Sequence, residues 1–250
     1  MSIRIKTPEE VEKMRTCGRI WKKVRDFLEP LLVAGTVPME LDILVEQKIR
    51  SFGATPSFKG FHGFPASICA SVNKQVVHAI PDKKPLQLGD LITIDMGIFY
   101  QNFHCDAAFS VVIGGDEAHP ERARFSRITR EAMMIGIDQI RPGRRIGDIG
   151  AAIETYVRKN GYNICKEYTG HGIGSQMHED PHIFNHGPAN IGPMIQEGMT
   201  FCIEPITSRG NGKCQILADG WTVITADGKE ACQWESCGVV TADGFEIFNE

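Results

Sequence analysis

LITIDMGIFYQNFHCDAAFSVV, residues 91–112, is two runs rich in Ile, Val, Phe and Thr on either side of Tyr100-Gln101-Asn102, which predicts a β-hairpin with a short polar turn. A turn centred between Tyr100 and Gln101 sets Asp95 opposite Asp106, with Cβ atoms about 5 Å apart on one face. Like charges so placed destabilise a sheet, so this register calls for a positive group between them. The turn has neither Asn-Gly nor Asp-Gly, and a slip of one residue would send one side chain to the other face, leaving one aspartate as a strand-end residue in solvent. The hairpin alone leaves both readings open.

Working outward, the chain repeats itself. Thr7-Pro8-Glu9-Glu10 has the N-cap, first-turn proline and capping-box acid of a helix start, and the helix is expected to run to about Glu29. A second helix is predicted from about Met39 to Phe52, with Leu41, Leu44, Val45 and Ile49 facing a core and Gly53 as its stop. Strand-like segments follow from Phe64 to Val77, and then the hairpin. After Gly114-Gly115 the plan restarts, with helices from about Pro120 to Ile140 and from Ile146 to Asn160. At an offset of 108, Gly35, Glu46, Arg50 and Gly53 recur as Gly143, Glu154, Arg158 and Gly161. At an offset of 109, LQLGDLITID matches IQEGMTFCIE, and His62-Gly63 falls on His171-Gly172. This run of matches implies a duplicated helix-helix-strand unit, pseudo-repeats about 7–115 and 116–245 within one catalytic domain spanning 1–250, an α+β fold with strands central and helices outside. Glu204 is then the counterpart of Asp95, and a site on the pseudo-twofold draws acids from both halves.

The composition, 42% hydrophobic and 23% charged over 250 residues, is that of a globular protein with room for a substantial core. No run approaches the roughly 20 apolar residues of a membrane span, and MSIRIKTPEE has no apolar stretch behind it, so a non-secreted, cytoplasmic protein is expected. The eight cysteines form no Cys-x-x-Cys pair and read as reduced and mostly buried. A net charge of −4 argues against broad nucleic-acid binding.

The second half is dense in histidine: Tyr-Thr-Gly-His171-Gly-Ile-Gly-Ser-Gln-Met-His178-Glu-Asp-Pro. Alone, either imidazole is as well explained by structure. Beside two acids from the other half, His171 reads as a ligand. Glu235 is assigned to a hairpin whose first strand is Trp221 to Thr225, turned by Ala226-Asp227-Gly228; it lies on a solvated face or points inward to a partner. Asp95, Asp106, Glu204, Glu235 and one histidine make an oxygen-rich set with a single nitrogen, suited to Mg, Mn or Fe-type ions with some transition-metal character. Four carboxylates exceed one catalytic zinc and fit two bridged divalent ions.

Together these residues resemble the bacterial type I methionine aminopeptidases, which have the duplicated pita-bread fold with a central antiparallel curved sheet. The match rests on Gly-Phe-His-Gly-Phe-Pro, Ser-Val-Asn with His78-Ala-Ile-Pro-Asp, Ile-Asp95-Met-Gly, Cys-Asp106, Gly-His171-Gly-Ile-Gly, His178-Glu-Asp-Pro, Phe-Cys-Ile-Glu204-Pro and Gln-Trp-Glu235, and covers residues 5 to 245. The resemblance implies two divalent ions (Mn, Fe, Co or Zn), Asp95 on one, His171 on the other, Asp106 and Glu235 bridging, and Glu204 as ligand and general base. A bridging hydroxide would attack the first peptide bond, with His178 stabilising the tetrahedral species and His78 near the scissile region; a strand-end histidine capped by Pro81 explains His78 equally. Phe58, Phe61, Phe64, Cys69, Met177 and Trp221 match the family's methionine pocket, where ordinary core packing would also account for each. It further implies a monomer acting on the N-termini of nascent polypeptides, in transient contact with the ribosome.

Three of those phenylalanines replace residues commonly Tyr or Cys, which predicts a more apolar pocket. After Glu235, where the family reads Glu-His-Thr, this chain has Ser236-Cys237. Two other readings compete. A proline-directed aminopeptidase or prolidase shares the site but carries an extra N-terminal domain, whereas six residues precede Thr7 here; a non-catalytic pita-bread binding module would lack several ligands.

Overall fold

The computed structural model describes residues 3–250. Helices α1 (Pro8–Leu28) and α2 (Pro38–Ser51) are followed by strands β1 (Thr55–Pro56), β2 (Cys69–Val72) and the long pair β3 (Leu91–Tyr100) and β4 (Phe103–Val112). Helices α3 (Pro120–Ile137) and α4 (Ile146–Lys159) come next. Short strands complete the chain: β5 (Asn163–Ile164), β6 (Gly170–Gly172), β7 (Glu179–Ile183), β8 (Thr200–Ile203), β9 (Ile206–Ser208), β10 (Cys214–Ile216), β11 (Val223–Thr225), β12 (Ala231–Gln233), β13 (Ser236–Val240) and β14 (Phe245–Ile247).

The first helix forms as its opening residues require. The Glu10 amide donates to Thr7 Oγ1 at 3.3 Å, while the Thr7 amide donates to the Glu10 carboxylate at 2.9 Å. Its apolar stripe, Met14, Trp21, Val24 and Leu28, is buried with Ile94, Met96 and Phe109 of β3 and β4. The Trp21 indole N–H donates to the Met96 carbonyl at 2.8 Å, pinning the helix to the strand that carries Asp95. Gly18 allows the closest approach, because a Cβ there would collide with the Phe248 backbone. Helix α2 buries Leu41, Val45 and Ile49, but Leu44 is exposed, contrary to expectation. The strand expected from Phe64 to Val77 is confined to β2.

All strand pairings are antiparallel. Sheet one sets β3 between β4 on one side and β1 and β2 on the other; a second runs β14-β13-β8-β6-β7 and a third β12-β9-β5. The halves meet where Ala108 of β4 bridges Glu235, with the Glu235 amide donating to the Ala108 carbonyl at 2.9 Å. The Trp221-to-Thr225 hairpin expected to carry Glu235 does not form. Strand β11 pairs with β10, and β12 pairs with β9, so the 226–228 turn separates two sheets instead of closing one.

Equivalent bonds recur in the two halves. The amides of Gly35 and Gly143 donate to the carbonyls of Leu86 and Ile195, and the amides of Leu86 and Ile195 donate back to Thr36 and Arg144. Gly35 and Gly143 have φ of +94° and +90°, a conformation that favours glycine. Glu46 pairs with Arg50 and Lys59, and Glu154 with Arg158 and Lys166. Burial alone would raise the Glu154 pKa, but the Gly187 amide, Arg158 and Lys166 outweigh it and hold it at about 2, below the usual 4.5. Because the folded value is the lower one, its stabilisation is present above pH 4.5 and is lost as pH falls toward 2. Glu154→Gln is therefore expected to lower the melting temperature at pH 7, and thermal melts should show that gap closing below pH 4.5.

Candidate metal centre

The β3–β4 hairpin brings the first two acids together in a register the sequence did not give. Its two-residue turn is Gln101-Asn102, with φ of +50° and +67°, the left-handed pair of a type I′ turn. Facing residues are Asp95 with Ala108 and Gly97 with Asp106, two positions away from the expected pairing. An even shift preserves the face, so Asp95 and Asp106 remain on one side as diagonal neighbours. Glu204 follows β8 directly and Glu235 lies between β12 and β13, while His171 sits in β6 with Cys202 of β8 opposite.

All five groups are buried: Asp95 is 8% exposed, Asp106 5%, His171 6%, Glu204 9% and Glu235 3%. Burial first, and the neighbouring acids second, hold all four carboxyls well above the usual carboxylate range. The amide of buried Gln233 faces two of them, its nitrogen lying 3.4 Å from Glu204 Oε2 and 3.5 Å from Glu235 Oε2. Among the described residues, Asp95 Oδ1, Asp106 Oδ1 and Glu235 Oε1 are buried without a hydrogen-bond partner. In a native core such oxygens call for a cation or ordered ligand.

The imidazole is arranged to accept. His171 Nδ1 lies 2.9 Å from the Gly172 carbonyl, which can only accept, so Nδ1 carries the proton and Nε2 keeps its lone pair. Burial, then the nearby His178, lowers the His171 pKa to about 3, so the ring is neutral at pH 7. His171 Nε2 stands 3.8 Å from Glu204 Oε1. Two sets of possible ligand atoms each fall within 4.8 Å, Asp95-Asp106-Glu235 and His171-Cys202-Glu235, and they share Glu235. Oxygen-rich donors with one imidazole fit a divalent cation of the Mn, Fe, Co or Zn kind.

Every ligand, catalytic and methionine-pocket residue expected from the sequence lines one cavity of about 560 Å³. On one side are the five donors above; on another, Phe58, Phe61, Phe64, Cys69, Met177 and Trp221 form a separate apolar cluster. Phe64 meets Trp221 edge-on at 5.2 Å. His178 stands between the two regions, with its ring 4.3 Å from His171 and 5.5 Å from Phe61. Burial, then His78, lowers its pKa to about 4. His78, with φ of +56°, packs edge-on against Tyr168 at 5.8 Å.

Gln233 and Cys202 were not anticipated from the sequence. Each lies two residues from an acid, Glu235 and Glu204, and strand alternation could have put them on the acids' face. The departure at 236–237 is filled from the C-terminus. Buried Asn249 accepts from the Cys237 amide at 3.1 Å and donates to Ser236 Oγ at 3.4 Å. Cys237 Sγ lies 2.9 Å from Cys105 Sγ, and all eight cysteines are free, seven of them buried.

A family model described as "Metallopeptidase family M24" matches residues 12–242. "Methionine aminopeptidase 1" of Bacillus subtilis (strain 168) is 39% identical over 242 residues, 97% of each chain. The crystal structure of methionine aminopeptidase from Rickettsia prowazekii superposes with a TM-score of 0.97 at 37% identity, covering 100% of both chains. That from Thermotoga maritima superposes at 0.96 with 36% identity and the same coverage.

Proposed function

Because the chain belongs to metallopeptidase family M24, we propose that it is a hydrolase that removes the N-terminal methionine, the activity its relatives' shared name describes, and that it takes polypeptides with a small second residue. The fold is the pita-bread fold of those relatives. One observation carries the reading to this chain: an acid and imidazole donor set and an apolar, sulfur-lined lobe share a single cavity, with His178 at their junction. The M24 membership implies divalent metal, and the partnerless carboxylate oxygens fit it.

We assign two ions to the site, because the two ligand sets overlap at Glu235. Asp95 would hold one, His171 and Glu204 the other, with Asp106 and Glu235 shared. Bound there, divalent ions supply Lewis acidity toward the peptide carbonyl and lower the pKa of water. Glu204, its pKa raised by burial and then by Asp95, would take up the proton of the attacking water. Neutral His178 donates to the carbonyl oxygen as charge develops there, and His78 faces the scissile region. The apolar lobe excludes water and packs the thioether.

The chain is read as one catalytic domain of two pseudo-repeats, supported by the paired backbone bonds at Gly35 and Gly143. Among the described residues no helix is long and apolar enough to cross a membrane. We place the activity in the cytoplasm, where new N-terminal methionines arise, with the protein acting as a monomer in passing contact with the ribosome.

A peptide panel tests the function. Loaded with Mn or Co, the protein is expected to release methionine from Met-Ala and Met-Gly peptides and to stop when a chelator is added. No release under any metal would leave only a binding module, while preference for X-Pro peptides would point to a proline-directed peptidase.

A further inference from the structure

His178 and Met177 do not belong to a regular strand. They lie in the loop 173–178 between β6 and β7, where the strand register shifts beside Gly172. The loop's internal ties are few: the Gly174 amide donates to the Gln176 carbonyl at 3.0 Å, and the Gln176 amide to Glu179 Oε1 at 3.1 Å. Outside the loop, the His104 amide donates to the Gly174 carbonyl at 2.8 Å and the Ile173 amide to the Thr200 carbonyl at 3.2 Å, which hold its first residues; the ties beside Met177 and His178 come from the far end of the sequence. Lys6 Nζ stands 2.6 Å from Glu179 Oε2, with only 2% of the Lys6 side chain exposed. Arg4 Nη1 donates to Ser175 Oγ at 3.1 Å, and the Lys6 amide donates to the Gly198 carbonyl at 2.9 Å. Gly174 makes room for the ammonium, since a Cβ there would collide with Lys6 Cε and Glu179 Oε1.

A buried lysine whose ammonium meets a part-buried carboxylate is costly to assemble and strongly directional once formed. Burial would raise the Glu179 pKa, yet Lys6 and the Gln176 amide bring it below the ordinary value, so the carboxylate is ionised at neutral pH. The pair adjoins His178 in sequence, and Glu179 itself lines the cavity.

We propose that Lys6 is a positioning residue: by holding the Glu179 carboxylate it fixes the loop that presents His178 to the scissile bond and Met177 to the methionine side chain. Lys6 touches neither substrate nor metal ligand, and its effect passes through Glu179. The inference rests on the aminopeptidase reading, because that reading gives His178 its task.

The test compares the parent protein with Lys6→Met and Lys6→Met/Glu179→Gln, each loaded with diamagnetic Zn for the NMR spectra and with Mn for the other measurements. Turnover of a Met-Ala peptide, metal content, melting temperature and the imidazole NMR signals of His178 are measured. Lys6→Met leaves the part-buried Glu179 carboxylate without its ammonium partner and is expected to melt lower; the double variant removes both charges and should recover much of that loss. Both are expected to bind metal like the parent, to lose about 100-fold in kcat with a smaller change in KM, as a misplaced catalytic group does, and to shift the His178 signals. A double variant with parental kcat would make the pair merely structural and overturn the proposal. Unmoved His178 signals would overturn it whatever the turnover. A parent protein that releases no methionine would instead refute the aminopeptidase reading, while shifted His178 signals in the variants would still locate the loop's anchor.

Discussion

Glu204→Gln is expected to lower kcat by about 100- to 10,000-fold, the range a positioned general base contributes, while the protein stays folded. Glutamine keeps the length of the side chain and one oxygen that can still face a cation, so the loss should fall on proton transfer more than on assembly of the site. The fold has reason to tolerate the change. Glu204 is buried against Asp95 and 3.4 Å from the Gln233 amide, and its carboxyl is held well above the ordinary range by burial and then by Asp95. Removing its charge relieves that repulsion, so after chelation at pH 7.5 the variant should melt no lower than the parent. Steady-state kinetics, metal content and thermal melts read the three parts separately. Near-normal turnover with full metal content would reject the role of Glu204 as base.

How far the sequence carries depends on which distances a side chain's role spans. Asp95 and Asp106 were legible as a pair because strand alternation survives an even slip. The facing residues moved by two positions once Gln101 and Asn102 took left-handed backbone, and both carboxyls stayed on one face. The counterpart relation between Asp95 and Glu204 came from the offset of 109, and the two acids do interact in the buried site. Glu235 was found for its motif but placed in the wrong hairpin. Its strand partner is set by β9 and by the bridge to Ala108, contacts remote in sequence that no local turn signal encodes. Gln233 and Cys202 were within reach of the same two-residue period and were missed because neither reads as a ligand in isolation. The Lys6–Glu179 pair, 173 residues apart, has no local signal at all. The loss of the usual Glu-His-Thr run was legible, but not its replacement, because Asn249 arrives from the segment after the last strand.

Chelating the metal-loaded protein is expected to loosen the β3–β4 hairpin and to reverse the sign of its pH dependence. Without cations the site confines four carboxyls, three of which bury a partnerless oxygen. An uncompensated buried charge costs several kcal/mol, which in a chain of this size corresponds to a fall on the order of 10 °C in melting temperature. Amide exchange in residues 91–112 should accelerate with it, since Asp95 and Asp106 sit at the middle of that hairpin. The acids' folded pKa values lie above their ordinary 3.8 and 4.5, so the folded state holds protons that the unfolded chain has released. Their contribution is complete below those ordinary values and is lost as pH rises toward the folded ones. His78, His104, His171 and His178, of which only His171 is fully buried, have lowered pKa values and act in the opposite direction, chiefly below 6.5, where the unfolded imidazoles protonate. Over pH 6.5 to 8 the histidine contribution fades, and the chelated protein should lose stability as pH rises toward the acids' folded values. The loaded protein should gain over the same interval, because cations and protons compete for the same oxygens. Melts of both forms across that interval, with hydrogen exchange at one pH, decide the matter: slopes of the same sign, or exchange in 91–112 indifferent to chelation, would mean that these carboxylates do not hold the metal.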